Sequence, residues 1–261
     1  MTELIDVGRG SALVLIPGIQ GRWEYVRPAI DALARWFRVL TFSLCGEPGS
    51  HAAFDPALGM DNYARQVASI LDRSRIEAAT ICGISFGGLP AIRFAATHPA
   101  RTRWLVLVST PGPDWRLQPH HRIYARRPWL FGPLFLVESP FRLRAELSST
   151  FPRLTARGRF AAWQLRTLAC VPLSPRRMAA RAALIPTCGV SDDCRAVAAP
   201  TLVVTGEPEL DQVVPVSTTL AYLRLIAGAR HASLDRTGHL GSITRPEMFA
   251  SIVHESVHAA A

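Results

Sequence analysis

Residues 79–97 read ATICGISFGGLPAIRFAAT, and the rest of the chain is most easily understood from this stretch. Its first part, ATIC, has the composition of a short buried strand, and GLPAIRFAA has the spacing of a helix. Between them, Gly83-Ile84-Ser85-Phe86-Gly87 fits the pattern G-x-S-x-G. At such a strand-to-helix turn a serine hydroxyl group is exposed, and glycines are needed where backbone segments approach too closely for a Cβ atom. The stretch predicts Ser85 as a nucleophile, with Gly83 and Gly87 forming the turn.

This turn has two other interpretations. It could be a glycine-rich connection that happens to contain a serine, or a phosphate-binding loop. Phosphate loops carry G-x-x-x-x-G-K-[ST] or G-x-G-x-x-G, and neither pattern occurs here. We therefore favour the nucleophile.

A serine hydroxyl group needs a base to remove its proton, and the base needs an acid that holds it in one tautomer. The segment TLVVTGEPELDQVVP, residues 201–215, is an apolar strand followed by a loop with three carboxylates. Asp211, which stands before Gln-Val-Val-Pro, is the best candidate for the acid. Glu207 and Glu209 are the alternatives.

The chain contains eight histidines, and His239 is the candidate base. It follows a glycine in the loop Thr-Gly-His-Leu at residues 237–240, after a strand-like segment at 229–234. The other seven lie in loops, at the ends of elements or on the last helix, where solvated surface positions are expected. The order Ser85, Asp211, His239 is the order used by enzymes with a nucleophile elbow.

The same strand pattern recurs elsewhere along the chain, and segments with helical spacing lie between the strand-like runs. The strand-like runs are residues 11–17, 38–44, 79–83, 103–109 and 201–206, and the helical segments are 24–37, 61–73, 89–97 and 246–261. This alternation predicts an α/β fold with a mostly parallel central sheet flanked by helices. It stops at Pro111 and resumes at Pro200. We therefore expect a core formed by residues 1–111 and 197–261, and a helical insertion at 112–196 with helices near 141–148 and 157–168.

Together these features resemble the α/β-hydrolase superfamily, particularly its small single-domain esterases and carbon–carbon bond hydrolases. The resemblance runs from the Pro17-Gly18-Ile19 loop, through the turn GEPGS at residues 46–50, to Asp211 and His239. It implies that the insertion is a lid over Ser85, and that the backbone N–H groups of Ile19 and Phe86 form an oxyanion hole. Relatives usually have His-Gly where this chain has Pro-Gly. A serine nucleophile disfavours the branches with an aspartate nucleophile, the haloalkane dehalogenases and epoxide hydrolases.

The charge of the chain is concentrated in the insertion. All basic residues are arginines, and the formal net charge is +9. Residues 112–181 hold 13 arginines against 3 acidic residues, whereas the rest of the chain is close to neutral. One interpretation is a solvated surface, and the other is a basic collar that binds a carboxylate, a phosphate or an acidic protein. The aromatic residues and leucines of the insertion predict either an apolar acyl-binding wall or the packed core of the insertion itself.

Composition excludes several other classes. The five cysteines show no C-x-x-C spacing, which argues against a disulfide framework and a zinc site. No motif suggests a metal, nucleotide or flavin, so no cofactor is expected. The first ten residues lack a secretory signal, and no apolar run reaches the ~18 to 20 residues of a membrane span. We expect a soluble cytoplasmic protein without membrane or nucleic-acid partners.

Three hypotheses for function follow. The first is a serine hydrolase that cleaves carboxylic esters of small to medium acyl chains through an acyl-enzyme intermediate. The second is an esterase whose anionic substrate, or acyl chain on an acidic carrier protein, is bound by the arginines, as in pimeloyl-carrier-protein methyl esterases. The third is a non-catalytic member of the fold that acts as a ligand receptor. A carbon–carbon bond hydrolase or lactonase would use the same three residues.

Overall fold

The computed structural model describes residues 4–50 and 52–258, and a seven-stranded sheet lies at its centre. In space the strands follow the order β1-β3-β2-β4-β5-β6-β7. Their bounds are β1 Leu4–Val7, β2 Ala12–Ile16, β3 Arg38–Phe42, β4 Ala79–Ile84, β5 Thr102–Val108, β6 Thr201–Thr205 and β7 Arg230–Ser233. Strand β1 pairs antiparallel with β3, and every other neighbouring pair is parallel. The predicted mostly parallel sheet is confirmed, and β1 is a strand that the sequence pattern did not reveal.

Helices cover both faces of the sheet. Those of the core are α1 Arg27–Leu33, α2 Asp61–Arg73 and α3 Gly88–Thr97. Five more lie between β5 and β6: α4 Pro119–Arg126, α5 Pro128–Thr150, α6 Leu154–Cys170, α7 Pro175–Leu184 and α8 Val190–Ala196. The last are α9 Val216–Thr219, α10 Tyr222–Leu225, α11 Gly241–Thr244 and α12 Pro246–His258. The end of the predicted final helix, residues 259–261, falls outside the described residues.

The hydrophobic core has two halves because alternate residues of a strand point to opposite faces of the sheet. Val14 and Ile16 of β2 pack into one half with helices α2, α3 and α8. Leu13 and Leu15 of the same strand pack into the other half with α1 and α12. All four side chains are fully buried. Continuous apolar runs such as Leu13–Ile16 are what a strand covered on both faces requires.

The insertion is helical, and its long helix α5 departs from the usual pattern. The helices predicted near 141–148 and 157–168 lie within α5 and α6, whereas α4, α7 and α8 were not predicted. Large apolar side chains of α5 face solvent, Phe141 being 73% exposed and Val137 61%. Glu146 on the opposite side of the helix is fully buried. Helix α5 therefore buries one ionisable side chain and exposes apolar ones, the reverse of a typical surface helix.

The parallel sheet brings the predicted site residues to one edge. Ile19 follows β2, Ser85 follows β4, Asp211 follows β6 and His239 follows β7. Carboxyl ends of parallel strands meet at the same edge, which is where ligands bind in open α/β sheets. Within the described residues, no helix is both long enough and apolar enough to cross a membrane.

Candidate active site

Ser85 lies on a strained turn immediately after β4. Its φ angle is +53°, a conformation that costs about 1–3 kcal/mol for a residue other than glycine. A Cβ atom on Gly83 would lie 2.3 Å from the carbonyl oxygen of Gly87, and one on Gly87 would lie 2.3 Å from that of Ile16. Both glycines are therefore required by backbone contacts. The turn continues directly into α3 and leaves Ser85 at the edge of the sheet.

Ser85, His239 and Asp211 form one hydrogen-bonded row. The Oγ atom of Ser85 lies 3.0 Å from Nε2 of His239, and Nδ1 of His239 lies 3.2 Å from Oδ2 of Asp211. In the tautomer that these partners require, Nδ1–H donates to Asp211 and Nε2 accepts from Ser85. The His239 side chain is 10% exposed and that of Asp211 only 1%. The row has the geometry of a nucleophile, a base and an orienting acid.

Asp211, rather than Glu207 or Glu209, is the carboxylate that reaches the histidine. Its other oxygen, Oδ1, accepts the backbone N–H groups of Val213 and Val214 at 3.0 and 2.8 Å. These two bonds hold the carboxylate in place. Glu207 instead accepts the backbone N–H of Arg236 at 2.6 Å.

The surroundings of His239 raise its pKa. Burial alone would lower this pKa, but the charge of Asp211 and its hydrogen bond to the ring raise it. Glu146 raises it further and Arg142 lowers it, and the net result is a pKa above the ordinary 6.5. The protonated imidazole, the form that a base adopts after accepting a proton, is thus stabilised.

The predicted oxyanion-hole residues flank Ser85. Ile19 and Phe86 both line the cavity into which Ser85 opens. The loop before Ile19 passes close to the serine, since a Cβ atom on Gly18 would lie 3.5 Å from Cβ of Ser85. The carbonyl oxygen of Ile19 accepts a hydrogen bond from Nη1 of Arg181 at 2.9 Å, which fixes this peptide from the side of the insertion. The oxyanion role itself stays a prediction.

The cavity above Ser85 measures about 520 Å³ and lies between the sheet edge and the insertion. Its floor includes Ile19, Ser85 and Phe86, and much of its wall comes from the insertion. Apolar wall residues are Trp115, Leu117, Ala125, Met178, Ala182, Ile185, Val213 and Val214. Arg116 and Arg142 add positive charge to the wall, and Asp114 adds negative charge. The volume suits a small organic molecule.

Comparison with known proteins agrees with this architecture. A family profile described as alpha/beta hydrolase fold matches residues 11–246. The chain belongs to the alpha/beta hydrolase fold family. The fold predicted from the sequence is therefore confirmed.

Two relatives of this alpha/beta hydrolase match nearly its whole length. It is 28% identical to a 2-hydroxymuconate semialdehyde hydrolase from Pseudomonas sp. (strain CF600), over 97% of this chain and 88% of that protein. It is 25% identical to a 2-hydroxy-6-oxo-2,4-heptadienoate hydrolase from Pseudomonas putida, over 99% and 93% respectively. The structure of the meta-cleavage product hydrolase CumD from Pseudomonas fluorescens IP01 matches with a TM-score of 0.76 and 24% identity, over 100% of this chain and 95% of that one. Family and relatives together support a hydrolase.

Two arginines of this alpha/beta hydrolase's insertion are bound to its core by an acid that the sequence did not single out as important. Glu47 lies in the GEPGS turn and is almost fully buried. Its two oxygens pair with Nη2 of Arg181 at 2.6 Å and Nε of Arg177 at 3.0 Å. The Arg181 side chain is 3% exposed. Part of the basic charge of the insertion is therefore structural rather than solvated.

Three side chains near the cavity could in principle approach a metal ion. The ligand atoms of His120, His121 and Glu138 lie within 4.8 Å of one another. However, Nη1 of Arg142 lies 3.4 Å from Nε2 of His121, and the Tyr124 hydroxyl group donates to Glu138 at 2.8 Å. Burial, then the charges of Arg142 and His120, lower the pKa of His121 to about 4. These contacts are those of a protein hydrogen-bond network, and we assign no metal to the cluster.

Proposed function

We propose that this alpha/beta hydrolase is a serine hydrolase that cleaves carboxylic esters of small to medium acyl chains through an acyl-enzyme intermediate. The observation that carries the proposal is the row Ser85–His239–Asp211, with Ser85 at the floor of a cavity lined mainly by apolar residues. A buried base with a pKa raised by an acid partner is suited to taking the serine proton. This makes a ligand receptor the weaker hypothesis.

The proposed reaction has two halves. Nε2 of His239 takes the hydroxyl proton while Oγ of Ser85 attacks the ester carbonyl carbon, and Asp211 stabilises the resulting imidazolium. The negative oxygen of the tetrahedral intermediate is held by the backbone N–H groups of Ile19 and Phe86. His239 then gives its proton to the leaving alcohol, and an acyl group stays on Ser85. A water molecule, deprotonated by His239, then attacks the acyl carbon. His239 returns this proton to Oγ of Ser85 as the bond to the acyl group breaks, which releases the acid and restores the serine.

We assign the role of lid to residues 112–196. Side chains from α4, α5 and α7, together with the segment between β5 and α4, supply much of the cavity wall opposite Ser85. Their apolar members fit an acyl chain, and a cavity of about 520 Å³ leaves room for one of small or medium length. Closing the site in this way strengthens electrostatic interactions within it, because water is excluded.

A second candidate is hydrolysis of a carbon–carbon bond. It is favoured by two relatives that cover the whole chain and are named for 2-hydroxymuconate semialdehyde and 2-hydroxy-6-oxo-2,4-heptadienoate. Heptadienoate is a carboxylate, and Arg116 and Arg142 of the cavity wall offer the charge that an anionic substrate needs. Both reactions use a serine, a histidine and an acid, so the substrate separates them.

The test is a substrate panel on the purified protein. p-Nitrophenyl esters of increasing acyl length are compared with 2-hydroxy-6-oxo-2,4-heptadienoate, and a fluorophosphonate probe reports whether Ser85 reacts. Ester hydrolysis with a maximum at short or medium chains, blocked by the probe, supports the first candidate. A kcat/KM that is much higher for the dienoate supports the second. Labelling at a different serine, or no labelling together with no turnover, contradicts both.

A further inference from the structure

One face of α5 is hydrogen bonded to the two loops that carry the acid and the histidine. Arg142, Glu146 and Thr150 are spaced by four residues and so share a face of the helix. Nη2 of Arg142 donates to the carbonyl oxygen of Gln212 at 3.0 Å, next to Asp211. The hydroxyl group of Thr150 donates to the carbonyl oxygen of Arg236 at 2.7 Å, three residues before His239. The insertion is thereby attached to both loops.

Glu146 occupies the middle of this face and contacts the histidine loop directly. Its Oε1 accepts the backbone N–H of Leu240 at 2.8 Å, and Leu240 immediately follows His239. The residue is fully buried. Its second oxygen, Oε2, has no hydrogen-bond partner among the described residues. A buried carboxyl group with one satisfied oxygen is costly for folding, so stability alone does not account for its presence.

We propose that Glu146 is a positioning residue: by accepting the N–H of Leu240 from the insertion helix, it holds the His239 loop at the distance from Ser85 that proton transfer requires. This inference rests on the proposed roles of Ser85 and His239. It gives the insertion a second task beside forming the wall of the cavity. A displacement of about 1 Å between reacting groups can lower turnover by about 10²-fold, so one backbone contact suffices for a large effect.

The charges around Glu146 give the proposal an electrostatic signature. Burial raises the pKa of Glu146 to about 7, and smaller contributions from neighbouring groups partly offset the effect of burial. The backbone N–H groups of Gly238 and Leu240 and the charge of His239 lower this pKa, whereas Asp211 raises it. His239 in turn is influenced by Asp211, Glu146 and Arg142. Removing the carboxylate charge of Glu146 therefore lowers the pKa of His239.

The other charged group near this face is Arg236, which belongs to the histidine loop. Its Nη2 donates to the carbonyl oxygen of Ser149 at 2.8 Å, and its backbone N–H donates to Glu207. This guanidinium group stays charged throughout the range in which histidine titrates. The pH dependence of activity that this inference predicts therefore comes from the titration of Glu146 and His239, while Arg142 and Arg236 keep their charges.

The experiment separates the hydrogen bond of Glu146 from its charge. Glu146→Gln keeps an acceptor for Leu240 and removes the charge, whereas Glu146→Ala removes both. The control is Glu138→Gln on the same helix, where the carboxylate bonds to Tyr124 instead. Wild type, the three variants and Ser85→Ala are assayed with the best ester of the panel, over a pH series, with thermal unfolding as the measure of folding.

We expect Glu146→Ala to lower kcat by between about 10-fold and 10²-fold with little change in KM. Glu146→Gln should recover most of kcat above neutral pH, and its acid limb should move to lower pH because His239 loses a nearby negative charge. The Nδ1–H proton resonance of His239 should titrate at a correspondingly lower pH in Glu146→Gln, which requires no substrate. Glu138→Gln should match wild type.

Failure of the inference and failure of the proposed function look different. If wild type hydrolyses the ester, Ser85→Ala does not, and both Glu146 variants keep the kcat and the acid limb of wild type, then Glu146 has no positioning role. If Glu146→Ala fails to fold, an unshifted acid limb and an unshifted histidine resonance in Glu146→Gln overturn the inference equally. If wild type is itself inactive and unlabelled by the fluorophosphonate, the proposed function falls, and this inference with it.

Discussion

Helix α2 of the core and helix α5 of the insertion are built on opposite principles. In α2, Tyr63, Val67 and Ile70 are buried against the sheet. In α5, Val137 and Phe141 face solvent, while Glu146 is buried against the histidine loop. The core is thus held together by apolar contact, whereas α5 is attached to the core through directed polar contacts. Apolar contacts tolerate small displacements of the packed side chains, whereas a hydrogen bond fixes the positions of its donor and acceptor relative to each other.

The two regions therefore divide the work of the site. Core loops carry Ser85, Asp211 and His239, and the insertion is hydrogen bonded to the loops of Asp211 and His239. If this division holds, changes in the core should remove the chemistry, and changes in the insertion should alter stability, positioning or substrate choice. Substitutions in the two regions test this division.

The largest effect is expected from Ser85→Ala. Loss of the nucleophile should lower kcat by about 10⁶ with folding intact, because the remaining groups cannot form an acyl-enzyme. Turnover of p-nitrophenyl esters and the thermal unfolding temperature are the measurements. Residual activity above about a hundredth of the wild-type value would show that Ser85 is not the nucleophile.

Asp211→Asn should lower kcat by up to about 10⁴, since an amide in this position favours the wrong histidine tautomer. Glu207→Gln and Glu209→Gln serve as matched controls from the same loop and should change kcat little. Steady-state kinetics on one ester compares the three. A large loss in one of the glutamate variants instead would reassign the acid.

Arg181→Met tests the attachment of the insertion. Breaking a buried pair leaves Glu47 with a weaker set of partners, and the free energy of unfolding should fall by about 3–5 kcal/mol. The control is Arg27→Met, whose pair with Asp31 is exposed on both sides and contributes about 0.5 kcal/mol or less. Urea unfolding measures both. Equal destabilisation of the two variants would show that the buried pair contributes no more to the free energy of unfolding than the exposed pair.

The pH dependence of activity should reflect His239. Its pKa is raised above the ordinary 6.5, and only the neutral ring accepts the serine proton. Activity should therefore be low below this pKa, fall by about tenfold per pH unit there, and rise to a plateau above it. The measurement is kcat/KM across a pH series. A flat profile from about pH 5 to 8 would contradict a histidine base.

The smallest effect is expected at the exposed arginines. We propose that the insertion's positive charge favours anionic substrates, including an acyl chain on an acidic carrier protein. Exposed Arg126 and Arg127 are changed together to Gln, and exposed Arg144 is changed separately, whereas Arg142 is kept because it lines the cavity and donates to Gln212. KM for an anionic ester should rise, and the effect should fade as the Debye length shrinks from ~10 Å at 0.1 M salt to ~3 Å at 1 M. A neutral ester is the control, and equal kinetics on both esters at low and high salt would make these arginines ordinary solvated surface.

The comparison also explains what the sequence could and could not predict. The turn around Ser85 was readable because its glycines and serine are contiguous, and the core strands because apolar runs mark them. The roles of Glu146 and Arg181 could not be predicted, because their partners Leu240 and Glu47 lie 94 and 134 residues away in the sequence. No local pattern records such a contact. Of α5, only the part near residues 141–148 was predicted as a helix.

The identity of the acid could be predicted only in part. The sequence placed three carboxylates in one loop and favoured Asp211, but only the path of the chain decides which of them faces the histidine. That path is tightly constrained: a Cβ atom on Gly238 would lie 2.4 Å from the carbonyl oxygen of Leu210, so the two loops touch through their backbones. Such contacts depend on the whole fold.

The pair Arg181–Glu47 and the contacts of α5 attach the insertion to different parts of the core, and together they restrict how the insertion can move. Helix α7 is fastened to the GEPGS turn, and α5 is fastened to the loops of Asp211 and His239. Helices α4, α5 and α7 also pack against one another. The Arg181–Glu47 pair and the contacts of α5 therefore restrict motion of the insertion without contributing a side chain to the row Ser85–His239–Asp211.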